Sequence, residues 1–189
     1  MKTNESQSDH ALTQPFRADI ERIRERARAK IKDGAVTDGY RLDPEHVCSL
    51  LNDALATEIV CVLRYRRHAF MAEGLPAEPV AEHFLSHSND EQAHADRLAQ
   101  RIVQLGGSPD FAPQGLATRS HADYAEGTTL RSMIEEDLIA ERIAVQIYGE
   151  LVRYFGDADS TTRRLLEDIL ADEEEHADEM ASLLVKLGE

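Results

Sequence analysis

The sequence predicts an all-α protein: a four-helix bundle with one long crossover connection, preceded by an extra N-terminal helix. Three observations predict it. Glycine and proline are scarce, 10 and 6 in 189 residues, and they cluster at the borders of long segments. Inside those segments apolar residues recur at three- and four-residue steps, the period of one helix face. The chain also repeats itself: residues 91–107 match 173–189 at eight of seventeen positions, a displacement of 82 residues. The preceding segments match at nearly the same offset, Glu58 with Glu141 and Tyr65 with Tyr148. Two helical hairpins related by a pseudo-twofold account for this self-similarity.

The elements follow in order. Thr13 and Pro15 open a first helix that runs to about Lys32 and ends at Gly34. Its stripe of Phe16, Ile20, Ile23, Ala27 and Ile31 is narrow, which suits a helix on a surface or against a neighbour. Asp43-Pro44-Glu45 is a helix start, an N-cap residue followed by proline at the first helical position. That second helix runs to about Glu73, before Gly74, Pro76 and Pro79. A third spans roughly 80–105 and stops at Gly106-Gly107-Ser108-Pro109. About twenty residues with Pro113, Gly115 and Gly127 read as a loose connection. The fourth helix begins near Thr129 and ends at Gly156; the last runs from near Ser160 almost to Gly188. The division is an N-terminal extension with one basic amphipathic helix, residues 1–42, and a bundle over 43–189.

Composition narrows the function. Hydrophobic residues at 42% and charged residues at 30% suit one globular domain with a sizeable core. No apolar run of the ~20 residues needed to span a bilayer stands out. The polar first ten residues lack the apolar centre of a secretory signal, so a cytoplasmic protein without membrane partners is expected. Net charge is −15, which disfavours nucleic acid over the whole surface and favours cations. Residues 17–32 are the exception, with seven basic side chains against three acids. Charge there is scattered around the helix, so a solvated or subunit-bridging helix is preferred and DNA binding is not expected. Cys48 and Cys61 lie thirteen residues apart on one helix, roughly 20 Å at ~1.5 Å per residue, so they do not pair.

Each bundle helix carries one glutamate on its apolar stripe. Glu58 interrupts Val47, Leu51, Leu55, Val62 and Tyr65; Glu141 interrupts Ile134, Leu138, Val145, Tyr148 and Phe155. Glu91 and His94 sit in the stripe of Phe84, His87, Leu98, Ile102 and Leu105. Glu173 and His176 sit in that of Leu166, Ile169, Met180, Leu184 and Leu187. A carboxylate in a bundle core costs several kcal/mol unless something compensates it. No lysine or arginine falls on these stripes. Two divalent cations would offset the four charges, and an oxygen-plus-imidazole donor set suits iron or manganese. The Glu-x-x-His spacing puts both side chains about one turn apart on one face, so one cation can take both. A single Glu-x-x-His is weak as a signal. Two copies in a repeated hairpin, each following a helix with a lone inward glutamate, are specific.

These residues resemble the bacterioferritins and, more broadly, the ferritin-like superfamily that includes the Dps-type mini-ferritins. The resemblance covers about 44–188 and is carried by Ala56-Thr-Glu58-Ile-Val-Cys-Val-Leu-Arg-Tyr65, Asp90-Glu91-Gln-Ala-His94-Ala-Asp96, Glu136-Asp-Leu-Ile-Ala-Glu141 and Asp172-Glu173-Glu-Glu-His176. It implies a ferritin-like bundle with two iron ions per subunit, manganese being the alternative metal. Glu91 and Glu173 would bridge, Glu58 and Glu141 would be terminal ligands, and His94 and His176 would each supply a nitrogen. Tyr65 falls where the family has a tyrosine near the irons, a one-electron donor. The implied activity is ferroxidation of Fe²⁺ with O₂ or H₂O₂, with storage or detoxification of iron in a homo-oligomeric shell. The family's haem-binding methionine position holds Gln92, so haem is not expected. The chain continues only thirteen residues past His176, which leaves no fifth helix and favours a dodecamer over a 24-mer. The rivals are a di-metal peroxidase of rubrerythrin or manganese-catalase type and a Dps-like DNA-protecting protein. Against rubrerythrin, the chain lacks Cys-x-x-Cys pairs.

Other residues are weighed more plainly. His87 reads as a hydrogen-bonded core histidine rather than an auxiliary iron site. His68 stands open between an iron relay and an exposed residue. Packing alone accounts for Tyr148, and Cys61 reads as a small core residue.

Overall fold

The computed structural model describes residues 17–31, 34–72 and 77–188, and these are helical wherever they are regular. Six helices occur among them: α1 Ile20–Ala29, α2 Pro44–Met71, α3 Ala77–Gln104, α4 Pro113–Arg119, α5 Leu130–Phe155 and α6 Ser160–Gly188. The expected start of the first helix at Thr13 and its Phe16 lie outside the described residues.

Local chemistry sets the helix ends. Asp43 caps α2 by accepting from the Glu45 amide, with Pro44 at the first helical position. Thr129 and Ser132 form a reciprocal capping box at α5. Gly127, just before it, has φ +59°, and a Cβ there would meet the Met133 backbone at 2.9 Å, so only glycine fits. Asp159 opens α6, accepting from the Thr162 amide at 2.9 Å and from its hydroxyl at 2.6 Å. The same carboxylate takes the Tyr40 hydroxyl at 2.8 Å and Arg101 at 3.0 Å, tying the segment before α2 to α3 and α6.

Helices α2 and α3 pack as one hairpin and α5 and α6 as the other. The crossover between hairpins, a loose connection by its Pro113, Gly115 and Gly127, in fact contains the helix α4. Seven residues are too few for a periodic signal, and Leu116 supplies the stabilising contact by packing on Ala56 and Val60. The connection is fastened further along α2: Arg64 and Arg67 donate to the Asp123 and Glu126 carbonyls, at 3.2 and 2.7 Å.

The core is two apolar blocks. One gathers Leu51, Leu55, Leu98, Ile102, Phe155 and Ile169; the other gathers Tyr65, Phe84, Ile134 and Met180. The four stripe glutamates lie in sequence between these blocks on every helix, so a polar layer crosses mid-bundle. The stripe on α5 is rotated from the expected one: Asp137, Ala140 and Ala144 are buried, while Leu138 and Val145 are half-buried.

Two expectations change, and one buried charge is added. α2 is long and apolar enough to cross a membrane by length and composition, yet 61% of its most apolar stretch is buried inside the bundle. It is the core helix. Arg64 on α2 is also buried, at 1% exposure, and its Nε donates to Asp137 at 2.8 Å. His68 is not exposed. It is fully buried, with Nδ1 at 2.8 Å from the other Asp137 oxygen and Nε2 at 3.0 Å from the Glu126 carbonyl. Arg64 lies off the stripe that carries Glu58. Its partner Asp137 arrives from the other hairpin.

Helix α1 has no buried residue; Ile20 and Ile23 are about half exposed and Ile31 more so. Lys30 bonds Asp38 at 2.7 Å, so α1 folds back on its own following loop.

Candidate metal centre

The polar layer holds all six predicted ligands. Glu58, Glu91, Glu141 and Glu173 are each 1% exposed, His94 3% and His176 7%. Two overlapping groups form: Glu58, Glu91, His94 and Glu173, and Glu91, Glu141, Glu173 and His176. Within each, one donor atom per residue lies within 4.8 Å of the others. Glu91 and Glu173 belong to both groups, the arrangement two bridging carboxylates require. The pseudo-twofold exchanges Glu58 with Glu141 and His94 with His176.

Distances favour one half. His94 Nδ1 lies 3.2 Å from Glu91 and Glu173 oxygens and 3.4 Å from Glu58. His176 Nδ1 lies 3.7 Å from Glu91 and Glu173 and 3.9 Å from Glu141. The other ring nitrogens point outward, His94 Nε2 to Asp172 at 3.1 Å and His176 Nε2 to Asp90 at 3.8 Å. Each histidine thus faces the acid that precedes Glu91 or Glu173 on the opposite hairpin, and His94 is hydrogen-bonded to it. Those acids, Asp90 and Asp172, were visible as part of the repeat, but their role as orienting partners was not read there.

The tyrosines obey the same symmetry. Tyr65 donates its hydroxyl to Glu141 and Tyr148 donates to Glu58, each reaching across to the other hairpin. Tyr148 therefore does more than pack. Its repeat relation to Tyr65 was the signal available in the sequence. His87 is 2% exposed, with Nδ1 3.2 Å from the Tyr65 hydroxyl and Nε2 2.8 Å from Glu179, so it is buried and hydrogen-bonded at both nitrogens. Cys61 is buried beside Arg64 at 3.5 Å, and both cysteines are free. Gln92 donates to Asp96 at 3.0 Å along its own helix.

The electrostatics are those of a buried cluster of carboxylates that holds protons. Burial and the charges of Glu173 and Glu91 push the Glu58 carboxyl well above its ordinary range. Burial, Glu91 and Glu173 do the same to Glu141. Burial opposes charge on His94 and His176, but their carboxylate contacts win; His94 is raised and His176 is pushed up to about 10. Glu91 goes the other way: burial raises it, and its contacts with His176 and His94 outweigh that. Six buried side-chain atoms among the described residues lack a hydrogen-bond partner: Arg163 Nε on α6, and, in the polar layer, Glu58 Oε2, Glu91 Oε1, both Glu173 oxygens and His176 Nδ1. Buried polar atoms are otherwise almost always satisfied, and five of these six belong to the predicted ligands. The residues present fit divalent cations with oxygen and imidazole donors.

Comparison with known proteins agrees. The ferritin-like domain profile matches residues 48–189. The chain is 35% identical to a bacterioferritin of Mycobacterium avium over 150 residues, 77% of this chain and 89% of that protein. It is 33% identical over 141 residues to a nutrient stress-induced DNA-binding protein of Synechococcus sp., 73% of this chain and 80% of that one. Among solved structures, the bacterioferritin-related dodecameric thioferritin of Bacteroides fragilis superposes with a TM-score of 0.75 at 29% identity, covering 78% of this chain and 89% of that one. The chain belongs to the ferritin-like family.

Proposed function

We propose that the protein is a ferroxidase that oxidises Fe²⁺ at a di-iron site inside each subunit and stores or detoxifies the product. The observation carrying this is the pair of buried four-residue groups that share Glu91 and Glu173, with their inward oxygens left unpartnered. Its bacterioferritin relatives support iron as the substrate.

In this reading Glu58 and His94 hold one Fe²⁺ and Glu141 and His176 the other, with Glu91 and Glu173 between them. Two Fe²⁺ together supply two electrons. With two protons these reduce O₂ to H₂O₂, or H₂O₂ to two waters, and leave two Fe³⁺. Pairing the irons avoids releasing a one-electron oxygen radical. The residues prepare that step. Glu58 and Glu141 give up their protons as cations enter, which is how a proton-neutralised site accepts metal. Asp172 and Asp90 keep the imidazoles turned so that Nδ1 faces inward. Tyr65, hydrogen-bonded to Glu141, sits where it can give one electron and its proton. Manganese is the alternative metal.

The division at residues 42 and 43, and a homo-oligomeric shell, belong to the same proposal. The dodecameric Bacteroides fragilis neighbour supports twelve subunits over twenty-four. A Dps-like DNA-protecting role is the second reading, favoured by the Synechococcus relative and the basic residues of α1. Against it stand the −15 net charge and the pairing of Lys30 with Asp38.

Aerobic addition of Fe²⁺ well beyond two per subunit, followed by sizing, tests storage. A soluble shell holding tens of irons per subunit is the expected result. Arrest at two, with rapid peroxide turnover, would favour the di-metal peroxidase or catalase instead. Glu91→Ala with Glu173→Ala should abolish fast oxidation while the helices stay folded by circular dichroism; unchanged rates would refute the site.

A further inference from the structure

A second set of metal-type donors lies beside the centre and takes no part in the six-residue set. His83 and His87 are one turn apart on α3, and Glu179 faces them from α6. One donor atom from each lies within 4.8 Å of the other two. A single oxygen, Glu179 Oε2, receives both rings, His87 Nε2 at 2.8 Å and His83 Nδ1 at 3.5 Å. Two imidazoles and one carboxylate converging with open positions form a donor set suited to Fe²⁺.

The site sits at a boundary. His83 and Glu179 have side chains 43% and 40% exposed, while that of His87 is 3% exposed. All three line a cavity of about 410 Å³ between α3 and α6, whose wall also includes His94, His176, Asp90 and Asp172. The cavity therefore runs from exposed residues to both centre histidines.

His87 joins the two places. Its ring stacks on His176 with centroids 4.1 Å apart. A ring nitrogen of His87 also lies within 4.8 Å of donor atoms of Glu141 and His176. A histidine that binds a cation through one nitrogen normally donates its other N–H to a fixed partner, which sets the tautomer. Here that partner is in place: Nδ1 is 3.2 Å from the Tyr65 hydroxyl oxygen, and that hydroxyl donates onward to Glu141. With Nε2 on a cation, Nδ1–H donates to Tyr65 and Tyr65 O–H to Glu141, so every donor and acceptor in the chain is used once.

We propose that His83, His87 and Glu179 form a third divalent-cation site, which holds Fe²⁺ at the mouth of the cavity leading to the di-iron centre. The site itself stands on its own donors; its use as a feeder rests on the ferroxidase reading.

Equilibrium dialysis of the assembled full-length protein against Co²⁺, without oxygen, tests it. Three Co²⁺ per subunit are expected for the wild type, two for His83→Ala with Glu179→Gln, and one for Glu91→Ala with Glu173→Ala. Both His83 and Glu179 are partly exposed, so the first variant is expected to keep its helical circular dichroism. A wild type that binds two ions, both kept in the His83/Glu179 variant, overturns the third site and leaves the centre standing. Three ions in both proteins overturn it as well, because the extra ion then lies elsewhere. A single ion in the wild type, lost in that variant, establishes the third site and removes the di-iron centre.

Discussion

His94 on α3 and Asp172 on α6 meet at 3.1 Å, imidazole Nε2 to carboxylate, across the two hairpins. This contact turns Nδ1 of the same ring inward, within 3.4 Å of three glutamates. The equivalent pair, His176 and Asp90, is looser at 3.8 Å. Removing such an orienting partner typically costs 10–100-fold in metal affinity. Asp172→Asn is therefore expected to weaken the ion held by His94 by about that factor, and Asp90→Asn to have the smaller effect. Anaerobic Fe²⁺ titration of the two variants checks the order.

The pH dependence follows from the centre's protons. His176 is raised to about 10 from an ordinary 6.5, and Glu58, Glu141 and His94 are raised too. A group raised in the folded state contributes stability that is fully present below its unfolded pKa and lost as pH rises through its folded one. For His176 that window runs from about 6.5 to about 10. Glu91 is lowered, so its contribution is lost on acidification below its ordinary 4.5. The metal-free protein should accordingly lose thermal stability from neutral toward alkaline pH. Bound divalent metal replaces the protons, so the stabilisation on adding Mn²⁺ without oxygen should grow over the same range. Scanning calorimetry from pH 6 to 10, with and without Mn²⁺, measures both slopes.

Tyr65 and Tyr148 should separate by function, not by stability. Either phenylalanine variant leaves a buried glutamate oxygen without its donor, a loss of about 1–3 kcal/mol. The pseudo-twofold makes the two losses similar. Only Tyr65 also touches His87, and Tyr65→Phe is expected to slow Fe²⁺ oxidation more than Tyr148→Phe. Urea unfolding and stopped-flow oxidation on the same pair provide the two measurements.

Arg64 is expected to dominate the stability of the α2–α5 contact. It is 1% exposed, and Asp137 is fully buried between it and His68. Breaking a buried ion pair from one side costs about 3–5 kcal/mol, because the remaining charge is left uncompensated. Arg64→Met should show that loss by urea unfolding. Arg64→Met combined with Asp137→Leu should recover much of it.

Much of this architecture was legible in one dimension. Apolar spacing and the two ends Asp43-Pro44 and Gly156 marked α2 and α5 closely, because helix periodicity and capping act within a few residues. The 82-residue echo of Glu91-x-x-His94 in Glu173-x-x-His176 identified four of the residues that meet in the polar layer, and the match of Glu58 with Glu141 on the preceding helices identified the other two. Helix α4 escaped because Pro113–Arg119 is too short to show a period and depends on Leu116 reaching α2.

By itself, the sequence determined the four long helices, the hairpin repeat and the inward placement of Glu58, Glu91, Glu141 and Glu173, since each follows from residue spacing along one helix. Tertiary structure alone decided which side chains answer one another across hairpins: Tyr148 with Glu58, Asp172 with His94, Arg64 with Asp137, Glu179 with His87. A helix's period says which way a side chain points. Only the rotation and crossing of packed helices, such as the turn that buries Asp137 and Ala140 instead of Leu138, say what it meets there.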